Sequence, residues 1–369
     1  MKDARIDRRL FLRGIGGVTA GVAAATTLSA CGTGTSRSVA GSGGKGGGKT
    51  VVVRDSGGSY GAALQKAIYT PFTQETGITV KVLNLDDAPL LAQIKQGRPQ
   101  CDLINNSMMS HNKYVQQGAL ETLDPDRVKS VKSAKIPEAQ VTDHAIGSSF
   151  YGACMAYRTD AFGGRKPESW ADFWDTKAFK GGRAMVHPDG DLPELEFALL
   201  ADGVPMDKLY PLDVDRAFKV MTRLRSDIKK FWDSGPLPGV LLSRQEVTMS
   251  TVWDGRIADL QKQGVPVERQ LNGMRRQFQG YAIAKGAANI DAAYQLMDFS
   301  LRAESQANLA KAFPSNPSSP GAYAKLTEDE RNALAGAPQY YDKGFDADID
   351  WWMKNEDAVT KRWLEWARG

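Results

Sequence analysis

Cysteine and histidine are scarce in this chain, three of each in 369 residues. The histidines, His111, His144 and His187, are far apart and no Cys-x-x-Cys occurs, so the ligand spacing of a zinc site is missing. Neither a metal nor a cofactor is expected. Long hydrophobic runs are missing too. The longest weakly apolar stretch, 14–30, is diluted by glycine and alanine and is too short and leucine-poor to cross a hydrocarbon core of about 30 Å comfortably. The overall charge of +4 misleads, because residues 1–49 hold eight Lys/Arg against two Asp/Glu and residues 50–369 hold 39 basic against 41 acidic groups. The body therefore lacks the basic surplus by which a nucleic-acid binder is read. No internal repeat is found.

What is there begins with an export address. Arg8-Arg9-Leu10-Phe11-Leu12 precedes the diluted apolar run, which ends in Leu28-Ser29-Ala30-Cys31, the layout of a secretory signal. The first segment resembles twin-arginine signals and the last resembles the lipobox of bacterial lipoproteins. That resemblance implies cleavage before Cys31, a diacylglycerol thioether on its sulfur, and a mature chain anchored outside the cytoplasm. Asp7 stands where the twin-arginine pattern has Ser or Thr, which leaves the general secretory route open as well. Residues 32–49 are almost entirely Gly, Ser, Thr and Lys, a flexible tether of roughly 20–25 Å end to end. With Cys31 lipidated, Cys101 and Cys154 form an even pair in an oxidising compartment. A disulfide and two separate buried thiols both remain open.

The body is long enough for two domains. Its start alternates strand and helix: a strand over 50–54, a glycine-rich turn, a helix over 62–76 capped by Gly77, a strand over 78–83, a helix over 89–96 and a strand over 101–104. Such alternation predicts a parallel sheet with helices on its faces, its ligand site beyond the carboxyl ends of the strands. A strand over 150–157 and a helix opening at Ser169 as N-cap follow. A second alternating unit is read from strands over 183–186 and 247–253 with helices over 194–201, 214–229 and 254–263. After a strand over 281–284, helices over 291–302, 304–312 and 356–367 complete the chain.

Several phrases in this order resemble the bacterial extracellular solute-binding proteins of ABC importers, in particular their spermidine/putrescine-binding branch. They are Phe72-Thr73-Gln74-Glu75-Thr76-Gly77-Ile78, Cys101-Asp102-Leu103-Ile104, Ser169-Trp170-Ala171-Asp172-Phe173-Trp174 with Phe179-Lys180-Gly181, and Trp253-Asp254-Gly255. The resemblance implies an α/β, two-lobed periplasmic-binding-protein fold of type II, a Venus flytrap. Lobe 1 is expected over 50–157, continued by about 280–369, and lobe 2 over 158–279. It implies no catalysis, capture of a small amine-containing or zwitterionic solute (polyamine-like or amino-acid-like), a monomer, and permease subunits as partners.

Candidate contacts follow from position and from that resemblance. Ser56, Gly58, Ser59 and Tyr60 follow the first strand and Ser107 follows the third, so both groups are expected at the cleft. Polyamine receptors grip ammonium ends with carboxylates between aromatic walls, and the resemblance points to Asp189, Asp191, Glu194 and Trp253 for these roles. Gln279 stands where those receptors carry an aspartate, which weakens the case for a long diamine and leaves room for an amino-acid-like or zwitterionic ligand. Asp254 and Asp350 are candidates for a replacement charge, and Trp351 for a further wall. One enzyme reading competes: Gly57-Gly58-Ser59-Tyr60-Gly61 fits the Gly-x-Ser-x-Gly elbow of α/β-hydrolases with Ser59 as nucleophile. Against it, no histidine follows His187, whereas that class needs a late catalytic histidine.

Overall fold

The computed structural model describes residues 50–368. Cys31, the signal and the tether lie outside the described residues. Ten strands form one mixed sheet: β1 (Thr50–Arg54), β2 (Thr79–Leu83), β3 (Leu103–Ser107), β4 (Ala145–Arg158), β5 (Arg183–Val186), β6 (Ile228–Trp232), β7 (Met249–Trp253), β8 (Val267–Ile283), β9 (Asn316–Pro317) and β10 (Gly344–Asp346). The main path runs β2-β1-β3-β8-β4-β7-β5-β6, with β10 beside β8 and β9 beside β4. β1 is parallel to β2 and β3, and β5 is parallel to β6 and β7. Between these two parallel groups lie β4 and β8, 14 and 17 residues long, antiparallel to each other and reaching into both halves.

Side-chain alternation explains the layering of the first half. Leu103 joins the apolar cluster of Val51, Val53, Leu64, Ile68, Phe72 and Leu296, whereas its neighbour Ile104 joins Leu90, Met108, Tyr114 and Ala282. Successive residues of a strand face opposite sides, so each side of the sheet has its own core. The second half packs around Met155, Phe173, Met185, Phe197, Met221, Trp232, Val252 and Met274. Trp170 stacks on Phe197 at 3.9 Å between ring centroids, and its indole N–H donates to the Gly273 carbonyl at 2.9 Å. Helix Ile349–Arg368 puts Trp352, Val359 and Trp363 into this second core, so the end of the chain packs with the second half rather than returning wholly to the first.

The first helix differs from the expected 62–76. It starts at Gly58, after Gly57 and Gly58 take φ values of +62° and +59°, and so absorbs Ser59 and Tyr60 into its first turn. Asp55 pins that turn from below, accepting the Gly57 N–H at 2.8 Å and the Tyr69 hydroxyl at 3.0 Å. A π-turn over Gln65–Tyr69 precedes Pro71, which has no N–H to close the α-helical bond to residue 67. Gly77 ends the helical run in the left-handed region, as expected. Ser169 stands at its N-cap, with its N–H donating to the Asp172 carboxylate at 2.9 Å. Cys101 and Cys154 are separate buried thiols in different cores, which resolves the pairing left open by the sequence.

Candidate ligand-binding site

Two cavities lie against β4 and β8. The larger, of about 440 Å³, is bounded by the Ser56–Tyr60 turn and Phe313–Ser315 on one side and by Pro236 and Trp253–Arg256 on the other, with Phe150, Tyr151 and Gln279 between them. The smaller, of about 250 Å³, is bounded by Ser107, Ser110 and Lys113, by Asp189–Pro193, by Arg276–Phe278, and by Glu356 and Thr360 of the last helix. Tyr151 lines both.

Seven sequence candidates therefore meet in the larger cavity: Ser56, Gly58, Ser59, Tyr60, Trp253, Asp254 and Gln279. Ser107, Asp189 and Asp191 meet in the smaller. Glu194 lies behind the wall, fully buried, where it accepts the Val186 N–H at 3.2 Å. Burial holds its carboxyl far above the usual carboxylate range, at about 8. Asp350 is exposed in the first turn of the last helix, and Trp351 packs edgewise on Trp352 and tilted against Tyr210; neither lines either of these two cavities.

The aromatic lining is built on the sheet. β7 ends at Trp253, whose ring meets Tyr151 at 5.5 Å and Trp232 at 5.8 Å, both edge to face. Gly235 backs it: a Cβ there would stand 2.6 Å from the Trp253 ring and 3.1 Å from the Arg256 Nε. The Tyr60 ring packs on Phe313 at 5.4 Å, and burial of its phenol, near Ser149 and Asn105, raises its pKa.

The charges are arranged unevenly. Asp254 opens helix Gly255–Lys262, but its carboxylate turns inward, accepting the Gly152 N–H at 2.8 Å and the Asn316 amide at 3.1 Å, with Arg269 at 3.9 Å. It ties β4 to β9 and to its own helix. Arg256 does the reverse: its guanidinium lies 6.0 Å from the Trp253 ring centroid and 5.8 Å from that of Phe313, and it pairs with no carboxylate among the described residues. Asp191 accepts from the Trp253 indole at 2.7 Å, the Gln277 amide at 2.6 Å and the Leu192 N–H at 2.7 Å. Buried Arg275 stands 3.9 Å away and spends itself mainly on Glu196 at 2.9 Å.

Other features narrow the chemistry. Ser107 caps helix Met108–Gln116 and receives the Ser110 N–H at 3.1 Å. No histidine serves Ser59: His111 bonds the Gly280 carbonyl, His144 the Glu121 carbonyl, and His187 stands beside Asp189. Among the described residues no cluster of His, Cys, Asp and Glu has the form of a metal site.

Arg256, Tyr151, Phe150, Gln277 and Phe313 escaped the sequence reading. Arg256 directly follows Trp253-Asp254-Gly255, so that phrase carried a signal for it; the others come together only in the fold.

Comparison with known proteins agrees with this geometry. A family model described as bacterial extracellular solute-binding protein matches residues 67–335. The gamma-aminobutyric acid-binding protein of Pseudomonas aeruginosa is 28% identical over 326 residues, 86% of this chain and 91% of its own. An ABC transporter substrate-binding protein from Bradyrhizobium japonicum superposes with a TM-score of 0.80 at 32% identity, over 86% of this chain and 99% of that one. MotA from A. tumefaciens B6, solved in complex with glucopine, gives a TM-score of 0.74 at 30% identity, over 86% and 99%.

Proposed function

The chain belongs to the bacterial extracellular solute-binding proteins, and from that premise we propose that it captures a small solute with one carboxylate and one amine. It is a substrate-binding protein of an ABC transporter, it acts outside the cytoplasm, and its family is not enzymatic. The observation that carries the ligand class is Arg256, a guanidinium held against Trp253 and Phe313 inside an aromatic-walled cavity whose acid, Asp254, is already bonded inward. A carboxylate suits the planar fork of Arg256. The ammonium suits the faces of Tyr60, Tyr151 and Trp253. A diamine would put a second cation near Arg256 and, among the described residues lining this cavity, find no uncommitted carboxylate to neutralise it. The ligands of two relatives, gamma-aminobutyric acid and glucopine, support this class over the polyamines.

In this reading lobe 1 (50–157 with the return from about 280) and lobe 2 (158–279) close over the solute, lobe 2 carrying the last helix as well. Ligand contacts made by both lobes bias the equilibrium toward closure by their differential affinity. The mature monomer is held by a lipid on Cys31, after export by the twin-arginine or general secretory route, and hands the solute to permease subunits. Calorimetry with 4-aminobutyrate, glutamate, putrescine and spermidine tests the ligand class. Heat of binding is expected with an amino acid, and tighter binding of putrescine would overturn the reading. Mass analysis of the membrane-associated protein tests the anchor, which Cys31→Ala should release into the soluble fraction.

A further inference from the structure

The two cavities share a single lining side chain among the described residues, Tyr151, and that residue is fixed on both sides. Its hydroxyl accepts from Gln277 Nε2 at 2.5 Å, and the same amide nitrogen donates to Asp191 Oδ1 at 2.6 Å. Gln277 Oε1 in turn accepts from Arg275 Nε at 2.9 Å, and Asp191 Oδ2 holds the Trp253 indole. The ring packs edge to face on Trp253. The Tyr151 ring is thus held by one hydrogen bond to Gln277, itself fixed by Asp191 and Arg275, and by its packing on Trp253, so swinging it aside means breaking that bond and that contact. Because the oxygen accepts from Gln277, its own proton remains free to be donated to a bound solute.

We infer that Tyr151 is a specificity-determining partition, which confines the solute to the cavity of Arg256 and excludes amines carrying a polar arm long enough to need the cavity of Ser107, Ser110 and Asp189. This rests on the ligand class proposed above and goes further: it separates an unsubstituted amino acid from N-substituted ones that share the same charged ends. Discrimination of this kind works by a clash against the wrong ligand rather than by extra contacts to the right one. Removing the ring joins the polar second cavity to the first and gives the arm a place.

The test compares 4-aminobutyrate with N-(2,3-dihydroxypropyl)-4-aminobutyrate by calorimetry on wild-type protein, Tyr151→Ala, Tyr151→Leu and Tyr151→Phe. Wild type is expected to prefer the unsubstituted compound by about tenfold or more, Tyr151→Phe to keep that preference, and the two truncations to lose most of it. Tyr151→Leu serves if the alanine variant does not fold. Equal binding of both compounds by wild type overturns the partition while leaving the ligand class intact. An unchanged preference in both truncations overturns it as well. Binding of neither compound, nor of any other amino acid, by wild type overturns the ligand class and the partition with it.

Discussion

Replacing Arg256 by glutamine separates an amino-acid site from a polyamine site more sharply than any other single change. The guanidinium is held 6.0 and 5.8 Å from the Trp253 and Phe313 ring centroids, and glutamine keeps part of the stem while removing charge and fork. A charge-assisted hydrogen bond contributes about 1.5–3 kcal/mol, so loss of the carboxylate's partner should weaken 4-aminobutyrate binding by roughly one to two orders of magnitude. Stacking on the two rings contributes on the order of 0.5–1 kcal/mol each, but mainly in free and bound protein alike, so it should appear in the melting temperature more than in affinity. Arg256→Lys should fall between wild type and glutamine, since it keeps the charge and loses the bidentate geometry. Calorimetric titration of all three proteins with 4-aminobutyrate and with putrescine reads the effect. Putrescine, repelled by Arg256 in wild type, should bind Arg256→Gln no worse and somewhat better. An unchanged affinity for 4-aminobutyrate, or an equal loss for both compounds, would refute the assignment of Arg256 to a carboxylate.

Two further predictions concern stability. Glu194 keeps its proton in the folded chain up to about pH 8 but would lose it near its ordinary 4.5 when unfolded, so stability should fall as pH rises between those values. The fall amounts to roughly 5 kcal/mol if the whole shift is expressed. Urea melts at pH 5 and pH 8.5 should show Glu194→Gln flattening that slope and exceeding wild type at the higher pH; identical slopes would refute it. Gly280→Ala would place a Cβ 2.3 Å from the Ile146 carbonyl oxygen and 3.0 Å from the Gly147 Cα, both backbone atoms of the adjoining β4. Forcing β4 and β8 apart there should cost about 1–3 kcal/mol and lower the melting temperature by several degrees, and a melt superimposable on wild type would count against it.

How much of this was legible in sequence follows from where the physical signals are local. The first strands were legible because Val51, Val53 and Leu103 announce buried strands, and Gly77 announces the end of a helix. The strand that matters most for the site, β8, was legible only at its apolar end, 281–284. Its polar stretch, Arg275-Arg276-Gln277-Phe278-Gln279, shows no alternation, because the partners that make these groups tolerable inside the protein come from elsewhere: Glu196 for Arg275, Asp346 for Arg276, Tyr151 and Asp191 for Gln277. β6 was lost for a related reason. Its Lys229 and Lys230 are exposed beside buried Ile228 and Trp232, and the helix read over 214–229 ran on into its first two residues.

The same principle separates the site candidates. Position beyond a strand end pointed to the Ser56–Tyr60 turn and the family resemblance to Trp253, and the fold brings both to the lining of the larger cavity. Acidity was not enough, because an aspartate binds a ligand only if its oxygens are unspent, and that depends on distant donors. Asp254 is consumed by Gly152 and Asn316, Glu194 is buried and protonated, and Asp191 serves Trp253 and Gln277. Three of the acids marked in the sequence, Asp191, Glu194 and Asp254, thus hold the framework around the cavities, whereas Asp189 and Asp350 are exposed. Among the described residues lining the larger cavity, the charge without a carboxylate partner is Arg256, one residue beyond Asp254-Gly255. Under the proposed function a receptor organised this way would select first for a carboxylate and leave the amine to aromatic faces, so that its specificity would turn on Arg256 and Tyr151 rather than on a count of acidic residues.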